Sequence, residues 1–151
     1  MSWSARLSEL GIELPPAVKP VAAYVPAAQT GNLVYTAGQL PMVAGEMART
    51  GKVGGEVTPE QGRELARICA LNALAAVDSL VGLDSIVRIV KVVGFVASAP
   101  GFGGQPGVVN GASLLLGDIF GDAGAHARSA VGVSELPLNA PVEVELIVEV
   151  A

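Results

Sequence analysis

Thr58-Pro59-Glu60-Gln61 is a helix start signalled three ways at once. The threonine hydroxyl can accept from the third helical amide, proline is pre-set for the first helical position, and Gln61 can reach back to the Thr58 amide. The helix is predicted to run to Leu80, with Gly82 closing it. Leu65, Ile68, Cys69, Asn72, Ala75, Ala76 and Ser79 fall on one stripe, and Ala66, Ala70, Ala73 and Val77 on another beside it. Such small residues let a helix approach a sheet closely, while Glu60, Arg63, Glu64 and Arg67 mark the solvent side. Directly after it, Ile86 to Ala97 is a long β-branched run. Arg88 and Lys91 interrupt its alternation, which predicts a bulge or a strongly twisted central strand. A long helix feeding a long strand restricts the chain to sheet-and-helix architectures.

The other elements follow from local signals. Trp3 to Leu10 can form a short helix stopped by Gly11, and Pro15, Pro16 and Pro20 enforce an extended connector. Val21 to Val25 reads as a first strand, and the turn dipeptide Gly31-Asn32 introduces a second, Leu33 to Ala37. Met42 to Val57 is glycine-rich and reads as a mobile loop or irregular hairpin. It is not a phosphate-binding loop, since Val53 stands where a hydroxyl residue is needed. Val108 to Phe120 reads as a second helix ended by Gly121. Ser129 to Glu135 and Pro141 to Val150 are two final strands. The expected organisation is an N-terminal helix and connector over residues 1–20 and one α+β domain over residues 21–151, with two long helices on one face of a mixed sheet.

Composition narrows the function. Charged residues make up 15% of the 151, against about 25% in typical domains. So few charges leave apolar surface to be covered, which predicts a homo-oligomer. The net charge of −5 and the absence of any Lys/Arg run argue against a nucleic-acid partner. Pro20 to Gly45 and Val92 to Gly117 lack charge, but prolines and glycines break both, so no membrane span is expected. One cysteine, Cys69, precludes an intrachain disulfide, and no signal peptide is evident at the N-terminus. Both suit the cytoplasm.

The candidate chemistry is sparse. Cys69 falls mid-helix on the apolar stripe, as a small core residue would. His126 is the sole histidine, with no cluster at metal-ligand spacing. Arg128 stands out, because it immediately precedes an apolar strand and its charge cannot be neutralised. Two readings stay open on the bare residues. Arg128 can pair with Glu143 across adjacent antiparallel strands, or its fork can wait for a substrate carboxylate.

Several segments together resemble one known family. Tyr24, then Gly31-Asn32-Leu33-Val34-Tyr35-Thr36-Ala37-Gly38-Gln39-Leu40-Pro41, then Asn110, Ala127-Arg128-Ser129 and Leu136-Pro137 with Val142-Glu143-Val144-Glu145 occur in the order found in the Rid/YjgF proteins. These are reactive-intermediate (enamine/imine) deaminases, formerly called endoribonuclease L-PSP or translation inhibitors. The resemblance implies a chorismate-mutase-like α+β fold, a homotrimer, and three sites in the clefts between subunits. By the same resemblance Arg128 would bind the carboxylate of a 2-imino acid and Glu143 would orient or activate the attacking water. Gly38 would offer backbone contacts, and Tyr24 and Asn110 would line the cleft. No metal or organic cofactor is implied.

The chain departs from the deaminase pattern in having Ala37 in place of serine and Ala130 in place of cysteine. The N-terminal helix and the long Gly45–Gly55 loop are additions to the compact family pattern, so the chain looks like a longer, divergent branch of the family. Besides cofactor-free imine hydrolysis, the resemblance allows a trimer that binds a small acid without turnover. A ribonuclease or translation inhibitor is the third alternative, which the acidic balance disfavours.

Overall fold

The computed structural model describes residues 2–20 and 22–151. Its elements in chain order are α1 (Trp3–Glu9), β1 (Ala27–Thr30), β2 (Leu33–Thr36), β3 (Met42–Val43), β4 (Glu46–Met47), α2 (Pro59–Val81), β5 (Ile86–Ala97), α3 (Gln105–Phe120), β6 (Ala127–Val133) and β7 (Val142–Val150). Five strands form one mixed sheet in the order β1-β2-β7-β5-β6, and β3 and β4 form a separate hairpin. Only β5 and β6 run parallel; the other neighbours are antiparallel.

The predicted capping of α2 is present in full: Gln61 N donates to Thr58 Oγ1 at 3.1 Å and Thr58 N to Gln61 Oε1 at 3.0 Å. Gly82, with φ at +84°, closes the helix. β5 has the predicted irregularities, as its register against β7 shifts between Ile86 and Arg88 and again between Ile89 and Lys91. The extra residues let Arg88 turn outward to Glu149, 3.2 Å away. Every second residue of β7, from Val142 to Val150, is buried with Leu65, Cys69, Ala70 and Ala73 of α2 and Val108, Ala112 and Leu116 of α3 in one core. Both long helices thus cover one face of the sheet.

Three expectations need correction. The first strand does not lie at Val21 to Val25. Val21 lies outside the described residues, and the strand begins at Ala27. The preceding residues turn instead, with Tyr24 N bonded to Ala22 O. Pro26, which has no N–H, then stands directly before the strand, where a missing ladder donor is tolerated. The second helix starts at Gln105 because Pro106 occupies its first turn, where its missing N–H costs nothing. The penultimate strand spans Ala127–Val133, so Arg128 lies within it. The glycine-rich segment is an irregular hairpin, anchored where Val53 N donates to Ala97 O and Ala99 N to Val53 O.

The two long helices touch closely at Gly111. A Cβ there would run into the Arg63 carbonyl group, whose carbon would lie only 2.8 Å away. Gly111→Ala should therefore lower stability by about 1–3 kcal/mol through overpacking. Gly117 in the same helix provides the control, since a Cβ added there would meet nothing within 4 Å. Gly117→Ala should raise stability by about 0.5–1 kcal/mol. Urea denaturation of both variants checks the pair, and equal midpoints would contradict the close packing.

Candidate active site

The fold sorts the sequence-predicted residues into two groups. Arg128, Ala130 and Asn110 gather where β6 meets α3. Tyr24, Gly38 and Glu143 gather around the end of the β2 segment and β7.

In the first group, Arg128 Nη1 donates to Asn110 Oδ1 at 2.8 Å and to Ser113 Oγ at 3.3 Å. A guanidinium only donates, so Asn110 must present its oxygen to Arg128, which leaves its amide nitrogen facing outward. Nη1 carries two protons, and both are directed to α3. The Nε–Nη2 edge has no protein partner among the described residues. That edge has the geometry for bidentate binding of a carboxylate. Ala130 is two residues along the same face of β6 and packs half-buried against the core. It supplies a small apolar wall with no polar atom.

Tyr24 and Gly38 of the second group line a cavity of about 200 Å³ together with Gln39, Leu40, Met42 and Leu138, among others, while Glu143 lies against Gly38 without lining it. The cavity wall is tied down from below. Asn72, buried in α2, donates through Nδ2 to Leu40 O and Met42 O, both at 3.0 Å. Gln39 exchanges backbone bonds with Val144 at 2.8 and 3.0 Å. Gly38 follows from this closeness, since a Cβ there would meet the Glu143 carboxyl carbon at 2.8 Å. The glycine lets that carboxylate fold over the backbone. On the far rim Leu138 has a φ of +59°, uncommon for a leucine, and projects largely exposed beside the cavity. The rim is joined to the glycine-rich segment by Gly51 N to Asn139 O at 3.0 Å and by Lys52–Glu135 at 3.1 Å.

Glu143 is half-buried, and no cation is paired with it among the described residues. Burial, with a smaller push from the neighbouring Glu145 carboxylate, holds its pKa above the ordinary glutamate value. A carboxylate of raised basicity suits proton abstraction. Cys69, by contrast, is fully buried and donates to Val142 O at 3.6 Å. Burial raises its thiol pKa well above normal, so it is an inert core residue, as expected from its place on the helix.

An Arg128–Glu143 pair does not form within the chain. β6 and β7 are not neighbours, because β5 separates them. Arg128 is in register with Val92 and Glu143 with Phe95, an odd offset along β5, so their side chains leave opposite faces of the sheet. A cross-strand pair needs consecutive strands to lie side by side, and the connection from β6 to β7 skips over β5. The sequence misses the first of two supporting residues, Ser113, on the face of α3 toward β6, and offers the second, His126, only as a metal-ligand candidate; His126 Nε2 is 2.9 Å from Ser113 Oγ. An Asn110-x-x-Ser113 spacing on one helix face could have signalled the first. Among the described residues no three His, Cys, Asp or Glu side chains converge as metal ligands. No helix there is long and apolar enough to cross a membrane.

The endoribonuclease L-PSP family pattern matches residues 15–150. Protein TCP17 of Trypanosoma cruzi is 42% identical over 148 residues, which cover 97% of this chain and 92% of that protein. Among solved structures, an Agrobacterium tumefaciens protein of unknown function is 46% identical with a TM-score of 0.90, covering 99% of this chain and 92% of its own. The Escherichia coli YjgF product is 28% identical with a TM-score of 0.63, covering 90% and 93%.

Proposed function

The chain belongs to the endoribonuclease L-PSP family, the Rid/YjgF proteins, and from that premise we propose that it hydrolyses a 2-imino acid to a 2-oxo acid and ammonia without a cofactor. The observation that carries this reading is the guanidinium of Arg128, pinned through Nη1 by Asn110 and Ser113 with its Nε–Nη2 edge open.

In this reading the substrate carboxylate docks bidentately on that edge, with the Asn110 amide nitrogen alongside. The imine carbon then faces Glu143, which accepts a proton as water adds. The C–N bond of the resulting tetrahedral carbinolamine breaks, nitrogen departs as ammonia, and the carbonyl of the 2-oxo acid remains. A protonated imine is already electrophilic, so positioning and one proton acceptor suffice.

Two copies of the chain are required, because Arg128 and Glu143 leave opposite faces of one sheet. We place the site in the cleft of a homotrimer, where Arg128 of one copy meets Tyr24, Gly38 and Glu143 of the next. The sheet face away from the helices supports this. It presents Tyr35, Val131 and Phe95, of which the first two are exposed in the single chain. Light scattering should give the mass of three 15.2-kDa chains; a monomer would contradict it. The one cysteine, reduced and buried, fits a cytoplasmic setting.

The test generates 2-iminobutanoate, or a bulkier imino acid, with an amino-acid oxidase and follows ammonia release with and without the protein. Acceleration is expected; saturable binding of 2-oxobutanoate without acceleration would instead favour a small-acid-binding protein. That second reading draws on Ala130, which puts no polar atom beside Arg128. Ribonuclease activity, which the family description names, finds little support in a net charge of −5.

A further inference from the structure

Arg128 is held by more than its two direct contacts. His126 Nδ1 is 2.6 Å from Gly124 O, and its Nε2 is 2.9 Å from Ser113 Oγ. A carbonyl can only accept, so Nδ1 carries the proton and donates to Gly124. In the neutral ring Nε2 is then left as an acceptor, and it takes the Ser113 hydroxyl proton. With its proton committed to His126, the Ser113 oxygen turns its lone pairs to Arg128 Nη1 at 3.3 Å. Every link in the series has one donor and one acceptor.

The series is anchored at its far end. Gly124 is buried, and a Cβ there would lie 2.9 Å from the Leu116 carbonyl carbon, so its backbone is pressed against α3. Its carbonyl cannot swing away from His126 without moving the short helical turn Gly121–Gly124. The lone histidine thus sets which way a serine hydroxyl points, and the serine sets which edge of an arginine faces outward. Without Ser113, Nη1 keeps a single partner, Asn110, and the guanidinium can swing about that one bond.

We propose that Ser113 and His126 are positioning residues that present the Nε–Nη2 edge of Arg128 to the substrate carboxylate. The proposal deepens the carboxylate-binding reading and rests on it. The relay acts on a group that binds the ground state and the transition state alike, so its loss should appear in KM and in Kd rather than in kcat.

The experiment uses the full-length chain as Ser113→Ala, Ser113→Thr, His126→Ala and Arg128→Ala, with 2-oxobutanoate as probe and 2-iminobutanoate as substrate. Ser113→Ala and His126→Ala should weaken 2-oxobutanoate binding and raise KM by about fivefold or more, the loss of one hydrogen bond to a charged group, with kcat within about twofold. Ser113→Thr, which keeps the hydroxyl, should restore binding. A ligand-free readout runs beside these. At about pH 8, imidazole nitrogen shifts should report His126 as the Nδ1–H tautomer. Rotation about the Arg128 Cζ–Nη1 bond should be slow in the wild type and fast in Ser113→Ala. Unchanged rotation and unchanged Kd in Ser113→Ala, while Arg128→Ala loses binding, would overturn the relay and leave the carboxylate reading standing. Binding that survives Arg128→Ala would overturn both. A His126 ring protonated at Nε2 would overturn the relay whatever the ligand does.

Discussion

Arg128→Ala should lower kcat/KM for 2-iminobutanoate by about a hundred- to a thousandfold, the loss of two charge-assisted hydrogen bonds to a carboxylate. Thermal stability should change little. Arg128 is only half-buried and bonds two side chains that its removal leaves near solvent, so no buried partner is stranded. Arg128→Lys should recover only part of the loss. An ammonium can supply charge, but it cannot reproduce the planar fork that Asn110 and Ser113 hold by one nitrogen. The amino-acid-oxidase-coupled ammonia assay checks both variants, and equal rates in wild type and Arg128→Ala would remove Arg128 from the site.

Glu143→Gln should lower kcat by about a thousandfold with KM nearly unchanged, within the range for loss of a general base. The same residue sets the pH profile. Glu143 must be ionised to accept a proton, and burial together with Glu145 raises its pKa above the usual glutamate value. Activity should therefore rise with pH through an inflection that lies above the ordinary carboxylate range. Glu145→Gln removes one of the two causes and should move that inflection downward, by less than burial alone contributes. A profile flat across the acid range in the wild type would contradict the base role, as would an unshifted inflection in Glu145→Gln combined with full activity in Glu143→Gln.

Much of this fold is legible wherever a local chemical signal decides the backbone. The capping box of Thr58 and Gln61 is a short-range arrangement, and it forms where the sequence predicts it. The disturbed alternation at Arg88 and Lys91 becomes two register shifts, because charged side chains on a central strand must find the open face. Strand pairing is a different matter. Which strand lies beside which depends on long-range packing, and nothing in Arg128 or Glu143 announces that β5 intervenes. The candidate residues can be picked out by motif, but their mutual geometry cannot.

The neighbours that orient them are harder still to see. Ser113 and His126 are thirteen residues apart in sequence and carry no spacing that signals a relay. A lone histidine with no metal-ligand spacing draws little notice, yet its contacts make it a hydrogen-bonding part of the arginine's support. Tyr24 lines the cavity from a turn rather than from a strand, its amide bonded to Ala22 O.

The central claim is that two copies of the chain complete one site. A crystal structure of the full-length protein soaked with 2-oxobutanoate would decide it. Expected is a trimer with the ligand carboxylate on the Nε–Nη2 edge of Arg128 and a water, hydrogen-bonded to Glu143 from the neighbouring copy, facing its keto carbon. A ligand bound away from Arg128, or an assembly that leaves Arg128 and Glu143 in separate clefts, would contradict it.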